Sequence, residues 1–207
     1  MKAIIKAQDM KDLIEKTKRF VCKNYNNTMM RYIHIVVDAE KQEVRAEAVD
    51  GHRFSVAYGK LVETDESFEC FITQDIPKIT RCDEYVEIET DGDKAFITVG
   101  DNIRGYRQPK KPFFDILQMI EATEDKEPAI KIAFNSKLLA EALQSVKDVG
   151  DKYNTARLYL YNPATPVLIR SNEKDVAGVL PIHISVEKWE KDEEMMKGEK
   201  RDEGKRD

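Results

Sequence analysis

Asp50-Gly51-His52-Arg53 places a carboxylate, an imidazole and a guanidinium within four positions, with a glycine that lets the chain turn between them. Histidine exchanges protons near neutral pH and a carboxylate can orient its ring, so acid–base chemistry is the first thing to ask of the cluster. The rest of the sequence argues against it. There are three histidines, no serine or cysteine in an elbow motif, and no second acidic residue at a defined spacing that would complete a catalytic set. Taken locally, Asp-Gly is first of all a turn, with His52 and Arg53 directed to solvent.

Three other groupings carry less. Cys22, Cys70 and Cys82 are odd in number, far apart and without a CxxC pair. Neither a disulfide framework nor a zinc site is indicated, and buried thiols are expected. Asp91-Gly92-Asp93 begins like a calcium loop but lacks the remaining ligands and the terminal glutamate, so it reads as a hairpin turn. Pro109-Lys110-Lys111-Pro112 fits a PxxP ligand, although a linker between domains is the commoner meaning. No metal, no cofactor and no enzymatic activity are expected.

The chain has 207 residues, 41% of them hydrophobic, enough for one large domain or two small ones around a core. With 34 basic and 39 acidic residues the formal charge is −5, which excludes a uniformly basic nucleic-acid binder. Contact with DNA would need a local basic face. No apolar run of about 18 residues is present, so no membrane partner is expected. The opening MKAIIKAQDMKDLIEK turns charged too early for a secretory signal, so the expected compartment is the cytoplasm. The sequon Asn26-Asn27-Thr28 then has no meaning for glycosylation.

The elements that position these residues recur three times: a short apolar strand, a polar cap, an amphipathic helix, then further strands. The openings are 3 to 20, 69 to 82 and 130 to 148. Asp9, Asp75 and Ser136 are candidate caps for the three helices. Met10, Leu13, Ile14 and Thr17 fall at helical spacing in the first, and Leu138, Leu139, Ala142, Leu143 and Val146 in the third. The middle helix is short, with Ile76 and Ile79 apolar and Pro77 in its first turn. Period-2 segments follow each helix, including RYIHIVVD, EVRAEAVD and RFSVAYG, then EYVEIETD and KAFITVGD, then ARLYLYN, PVLIRSN and VAGVLPIHI. Helices on one face of antiparallel sheets make the expected class α+β.

Three stretches, in this order, resemble the sliding clamps, in particular the β subunit of bacterial replicative DNA polymerase. AVDGHRFSVA (48 to 57) resembles the Thr-Asp-Gly-His-Arg-Leu-Ala signature of the family's middle domain, FNSKLLAEAL (134 to 143) the start of the helix in the second half of its last domain, and AGVLPIHI (177 to 184) its closing strand. The resemblance implies a DNA-clamp-like fold of repeated strand-helix-strand units. Residues 1–111 would be a domain resembling the middle one, 112–127 a linker or reduced segment, 128–187 a half-domain resembling the end of the last, and 188–207 a charged tail, disordered or a solvated helix. A clamp subunit is built of twice as many units as this chain has room for, so closure of the usual ring does not follow.

The resemblance also implies a role. In clamps the DGHR turn, a proline segment and the C-terminal strand line an apolar cleft for short peptides of the polymerase, the clamp loader and repair proteins. Carried over by position, the lining here would be Val49, Gly51, His52, Arg53, Phe54, Pro112, Val179, Leu180, Pro181 and Ile184. Val49 stands for a threonine, Phe54 for a leucine and His183 for an arginine, so the preferred peptide is expected to differ. Helices of clamps face duplex DNA loosely and without sequence preference. The corresponding basic candidates are Lys11, Lys16, Lys18, Arg19, Lys23, Lys78, Arg81, Lys137 and Lys147, diluted by Asp12, Glu15, Asp75, Glu141 and Asp148. The expectation is a non-enzymatic replication or repair factor that binds such peptides, as an oligomeric processivity factor. Its alternatives are a truncated decoy that holds partner peptides without encircling DNA, and an unrelated α+β interaction protein. A homo-oligomer is one expected partner.

Overall fold

Alternating apolar residues become strand wherever one face can be buried, and most of the period-2 segments do so here. The computed structural model describes residues 1–22, 29–147, 151–162, 165–172 and 175–201, with side chains to 195. The chain divides into two units, Met1–Thr123 and Glu124–Asp207.

In the first unit, eight strands form one antiparallel sheet: β1 (Lys2–Lys6), β2 (Ile33–Asp38), β3 (Glu43–Val49), β4 (Phe54–Thr64), β5 (Phe68–Ile72), β6 (Tyr85–Thr90), β7 (Lys94–Val99) and β8 (Asn102–Arg107). Their order is β5-β2-β3-β4-β1-β6-β7-β8. The pairing is reciprocal. The first strand of the opening half, β1, lies between β4 and β6, while β5, which opens the second half, pairs with β2. Gln108, just past β8, accepts from the Phe71 amide at 2.7 Å and donates to the Phe71 carbonyl at 3.0 Å, so the two outer strands are joined by a side-chain amide.

Ile5, Ile33, Ile35, Val37, Val44, Val86, Ile88 and Ile97 on the inner face are at most 1% exposed. Helix α1 (Ala7–Thr17) lays Met10, Leu13, Ile14 and Thr17 against them. Each such aliphatic side chain stabilises the fold by about 1.5–3 kcal/mol relative to exposure. Gly59 of β4 lets α1 come close, since a Cβ there would sit 3.3 Å from Leu13 Cδ1. The N-cap of α1 is Lys6, without a side-chain cap bond, and Asp9 falls inside the first turn, where its charge favours the helix dipole.

The middle helix expected at 75 to 82 does not form. Residues 73–84 are irregular, and Asp75 caps nothing. A segment this short, with β-branched Ile76, Ile79 and Thr80 and a proline that disfavours helix at the residue before it, gains more from tertiary contacts. Ile76 and Ile79 pack on the core, the Asp75 carbonyl accepts from Tyr106 Oη at 2.8 Å, and the Asp75 carboxylate pairs with Arg104 at 2.6 Å. The first unit ends with α2 (Ile116–Glu124), whose Ile116 is buried.

The second unit is one helix on three strands. α3 (Ser136–Ser145) packs on β10 (Val167–Arg170) and β11 (Val176–Val179), and β9 (Arg157–Tyr159) completes the sheet in the order β11-β10-β9. The cap of α3 is Asn135, accepting from the Lys137 and Leu138 amides, and not Ser136, which is the first helical residue. The strand expected at the opening of this unit reduces to a single bridge, Ala133 to Ile182. α4 (Val186–Arg201) follows, with Trp189 half-buried and Lys131 paired to Glu193 at 2.5 Å. Among the described residues no helix is long and apolar enough to cross a membrane.

Candidate functional site

The Asp50-Gly51-His52-Arg53 turn joins β3 to β4, whose last ladder pair is Val49 with Phe54. Gly51 sits at φ +89°, in the left-handed region that an L side chain rarely enters. The Asp50 carboxylate organises the turn. Its Oδ1 accepts from the His52 and Arg53 amides at 3.1 Å each, and its Oδ2 accepts from Arg53 Nε at 2.8 Å. Burial pushes the Asp50 pKa up, but the Arg53 side chain and the two amides outweigh it and hold the carboxyl below the ordinary carboxylate value.

Arg53 reaches further than the turn. It donates to the Arg19 carbonyl at 2.7 Å and lies over the Phe20 ring, 5.1 Å from its centroid. Ser55 Oγ donates to the Lys16 carbonyl at 3.1 Å. The turn is therefore fastened to the end of α1 and to the 3₁₀ turn Lys18–Phe20 that follows it. Arg53 braces the turn while more than half of its side chain stays exposed, His52 is exposed and Phe54 keeps 40% of its surface in contact with solvent.

The other proposed peptide-site residues divide between the units. Val49 and Gly51 share the first unit with Pro112, which is exposed. Val179, Leu180, Pro181 and Ile184 belong to the second. There Val179 is 5% exposed and packs with Val146 and Ile169, while Leu180 stands 68% exposed at the end of β11 and Ile182 50%.

A polar cluster not anticipated from the sequence lies beside the proline segment. His34 is buried on β2 with its Nδ1 3.0 Å from Glu47 of β3 and its Nε2 3.0 Å from Glu69 of β5. Arg45 Nε donates to the other Glu47 oxygen at 2.7 Å. The imidazole stacks on Phe71 at 4.7 Å and meets Phe113 at 4.9 Å, which pins the chain just after Pro112 to the outer side of the sheet. The signal was in RYIHIVVD, where His34 occupies a polar slot of an otherwise apolar strand, but nothing local shows which strands flank it.

Of the basic candidates, Lys11, Lys16 and Arg19 are exposed along α1 and its end. Lys18 is engaged by Glu15. Lys78 and Arg81 are exposed, on the irregular segment instead of a helix. Lys137 lies 4.0 Å from Glu141, and Lys147 is exposed after α3. Lys23, Asp148 and the sequon 26–28 lie outside the described residues.

The cysteines are free, but not uniformly buried as expected. Cys70 is buried, Cys22 half-buried and Cys82 exposed. Burial pushes the Cys70 thiol up to about 12, with a smaller contribution from Glu69, so it stays protonated and inert. Among the described residues no group of three or more His, Cys, Asp or Glu is placed to hold a metal ion. Asp91-Gly92 is the turn of the β6–β7 hairpin, with Gly92 at φ +94°.

Solved structures superpose on this arrangement over most of its length. The DNA polymerase sliding clamp of Bacillus subtilis matches with a TM-score of 0.70 at 18% identity, covering 89% of this chain and 50% of the clamp. The fold is that of the bacterial sliding clamps. The C. crescentus β sliding clamp matches at 0.70 and 17%, covering 89% and 51%. The DNA polymerase III β subunit of Thermotoga maritima matches at 0.68 and 16%, covering 87% and 50%. This clamp-fold chain thus spans about half the length of the clamps it matches. No protein-family model matches the sequence, and no curated protein does.

Proposed function

We propose that the chain is a clamp-like, non-enzymatic factor of DNA replication or repair, working in the cytoplasm, that binds short linear peptides of polymerase, loader or repair proteins. The observation that carries this reading is the DGHR turn, held rigid by Asp50 and Arg53 while His52 and Phe54 are left facing solvent. A peptide site needs apolar wall and a few oriented polar groups on a stiff support. In the first unit Phe54 and Pro112 offer the first and His52 the second, with Arg53, Gly51 and Val49 shaping the turn; Leu180, Pro181 and Ile184 are the expected lining residues of the second unit. Val179, the remaining expected lining residue, packs inward with Val146 and Ile169.

Fluorescence anisotropy with a labelled Gln-Leu-x-Leu-Phe peptide tests the reading. Saturable binding is expected, weakened roughly tenfold by His52→Ala or Phe54→Ala, as loss of about 1.4 kcal/mol implies. No saturation, or binding indifferent to both changes, sinks it.

The net charge of −5, unfavourable to phosphate contact, favours a second reading, a decoy that occupies partner peptides without loading on DNA. It predicts the same peptide binding with no stimulation of synthesis on a primed circular template. Duplex DNA, where it is met, would be touched through Lys11, Lys16 and Arg19 of the α1 region as screened, sequence-independent charge.

A further inference from the structure

The first unit shows how two strand-helix halves satisfy each other's edges. β5, the opening strand of one half, covers the outer edge of β2, and β1, the opening strand of the other, lies against β6. As a result Ile33 and Ile35 of β2 and Ile5 of β1 are 0% exposed. The second unit repeats one such half, with 130–134 in the place of β1 and β9, β10 and β11 in the places of β2, β3 and β4.

Its edges are open. Among the described residues β9 pairs on one side only, with β10, although Leu158 faces the same side as buried Ile169 opposite it. Leu158 is 44% exposed and Leu160 37%, where the corresponding β2 residues are fully covered. The opening segment is frayed to the single Ala133–Ile182 bridge, and Ile130 is 52% exposed. An apolar strand edge of this kind is a template for another strand.

We propose that two copies of the chain associate through the second unit, each lending its 130–134 segment to the open β9 edge of the other. The exchange inside the first unit is reciprocal, and reciprocal exchange between identical halves is an isologous two-fold contact that closes on itself. A second copy fits this edge because it carries the strand that the first unit shows to be complementary to it. Leu158 and Leu160 then meet the partner's apolar Ile130 and Ile132, as Ile35 meets Cys70 within the first unit. The inference stands on the comparison of the two units and not on peptide binding.

Sedimentation equilibrium of the full chain, with hydrogen exchange across a concentration series, tests it. The expected mass is twice the 23.9 kDa of one chain. Amides in 130–134 and 157–161 gain protection as concentration rises, and Leu158→Glu returns the mass to one chain. A monomer at every concentration overturns the proposal and leaves the edge to a different partner. So does a dimer of the unaltered protein whose added protection falls outside those two segments, a readout that does not depend on how well the variant folds.

Discussion

Asp50 decides the conformation of its turn by accepting three hydrogen bonds at once, and this makes the folded state favour its ionised form. A carboxyl whose pKa is lowered on folding contributes stability above the ordinary carboxylate range, near pH 4, and loses it as pH falls through the lower folded value. Asp50→Asn should therefore reduce stability at neutral pH and narrow the difference between neutral and acid stability, read from urea midpoints at a series of pH values. His52 was legible as a prominent residue, but its neighbour's part was not. Both His52 and Arg53 are exposed, as the turn reading expects, but Arg53 also reaches the Arg19 carbonyl and the Phe20 ring.

At the scale of elements, the alternation in Ile33–Asp38, Glu43–Val49 and Tyr85–Thr90 was readable because each strand buries one face. β8 was not, since Asn102–Arg107 exposes four of its first residues and pairs only with β7 inside the sheet. The middle helix was over-read from Ile76 and Ile79, whose spacing suits a helix but whose burial needs none. Gln108 is the device that joins β5 to β8. Gln108→Ala leaves the Phe71 amide and carbonyl without it, and an unsatisfied buried group costs about 1–3 kcal/mol. The expected result is a lower urea midpoint with an unchanged slope; equal midpoints would show that the joint is incidental.

For the whole molecule, net charge and local charge point in opposite directions. The chain carries −5 overall, while Lys11, Lys16 and Arg19 are exposed around α1. Binding to duplex DNA should accordingly be weak and steeply dependent on salt, with roughly one unit of logarithmic slope lost for each phosphate contact removed. Filter binding of the Lys11→Gln, Lys16→Gln double variant checks this, and a slope equal to that of the unaltered protein would exclude the α1 face as the contact. The second unit has a three-stranded sheet beside the first unit's eight-stranded one, and among the described residues β9 pairs on one side only.

The sequence by itself determined the α+β class, the strands with a buried face, the two Asp-Gly turns and the resemblance to clamps, because each is written in local periodicity or in a short contiguous run. Tertiary structure alone decided which strands neighbour which, and with that the brace made by Arg53, the His34–Glu47–Glu69 cluster and the loss of the middle helix. It also decided that Leu158 remains exposed. Pairing between strands distant in sequence is set by how the whole sheet closes, and no window of residues carries that information.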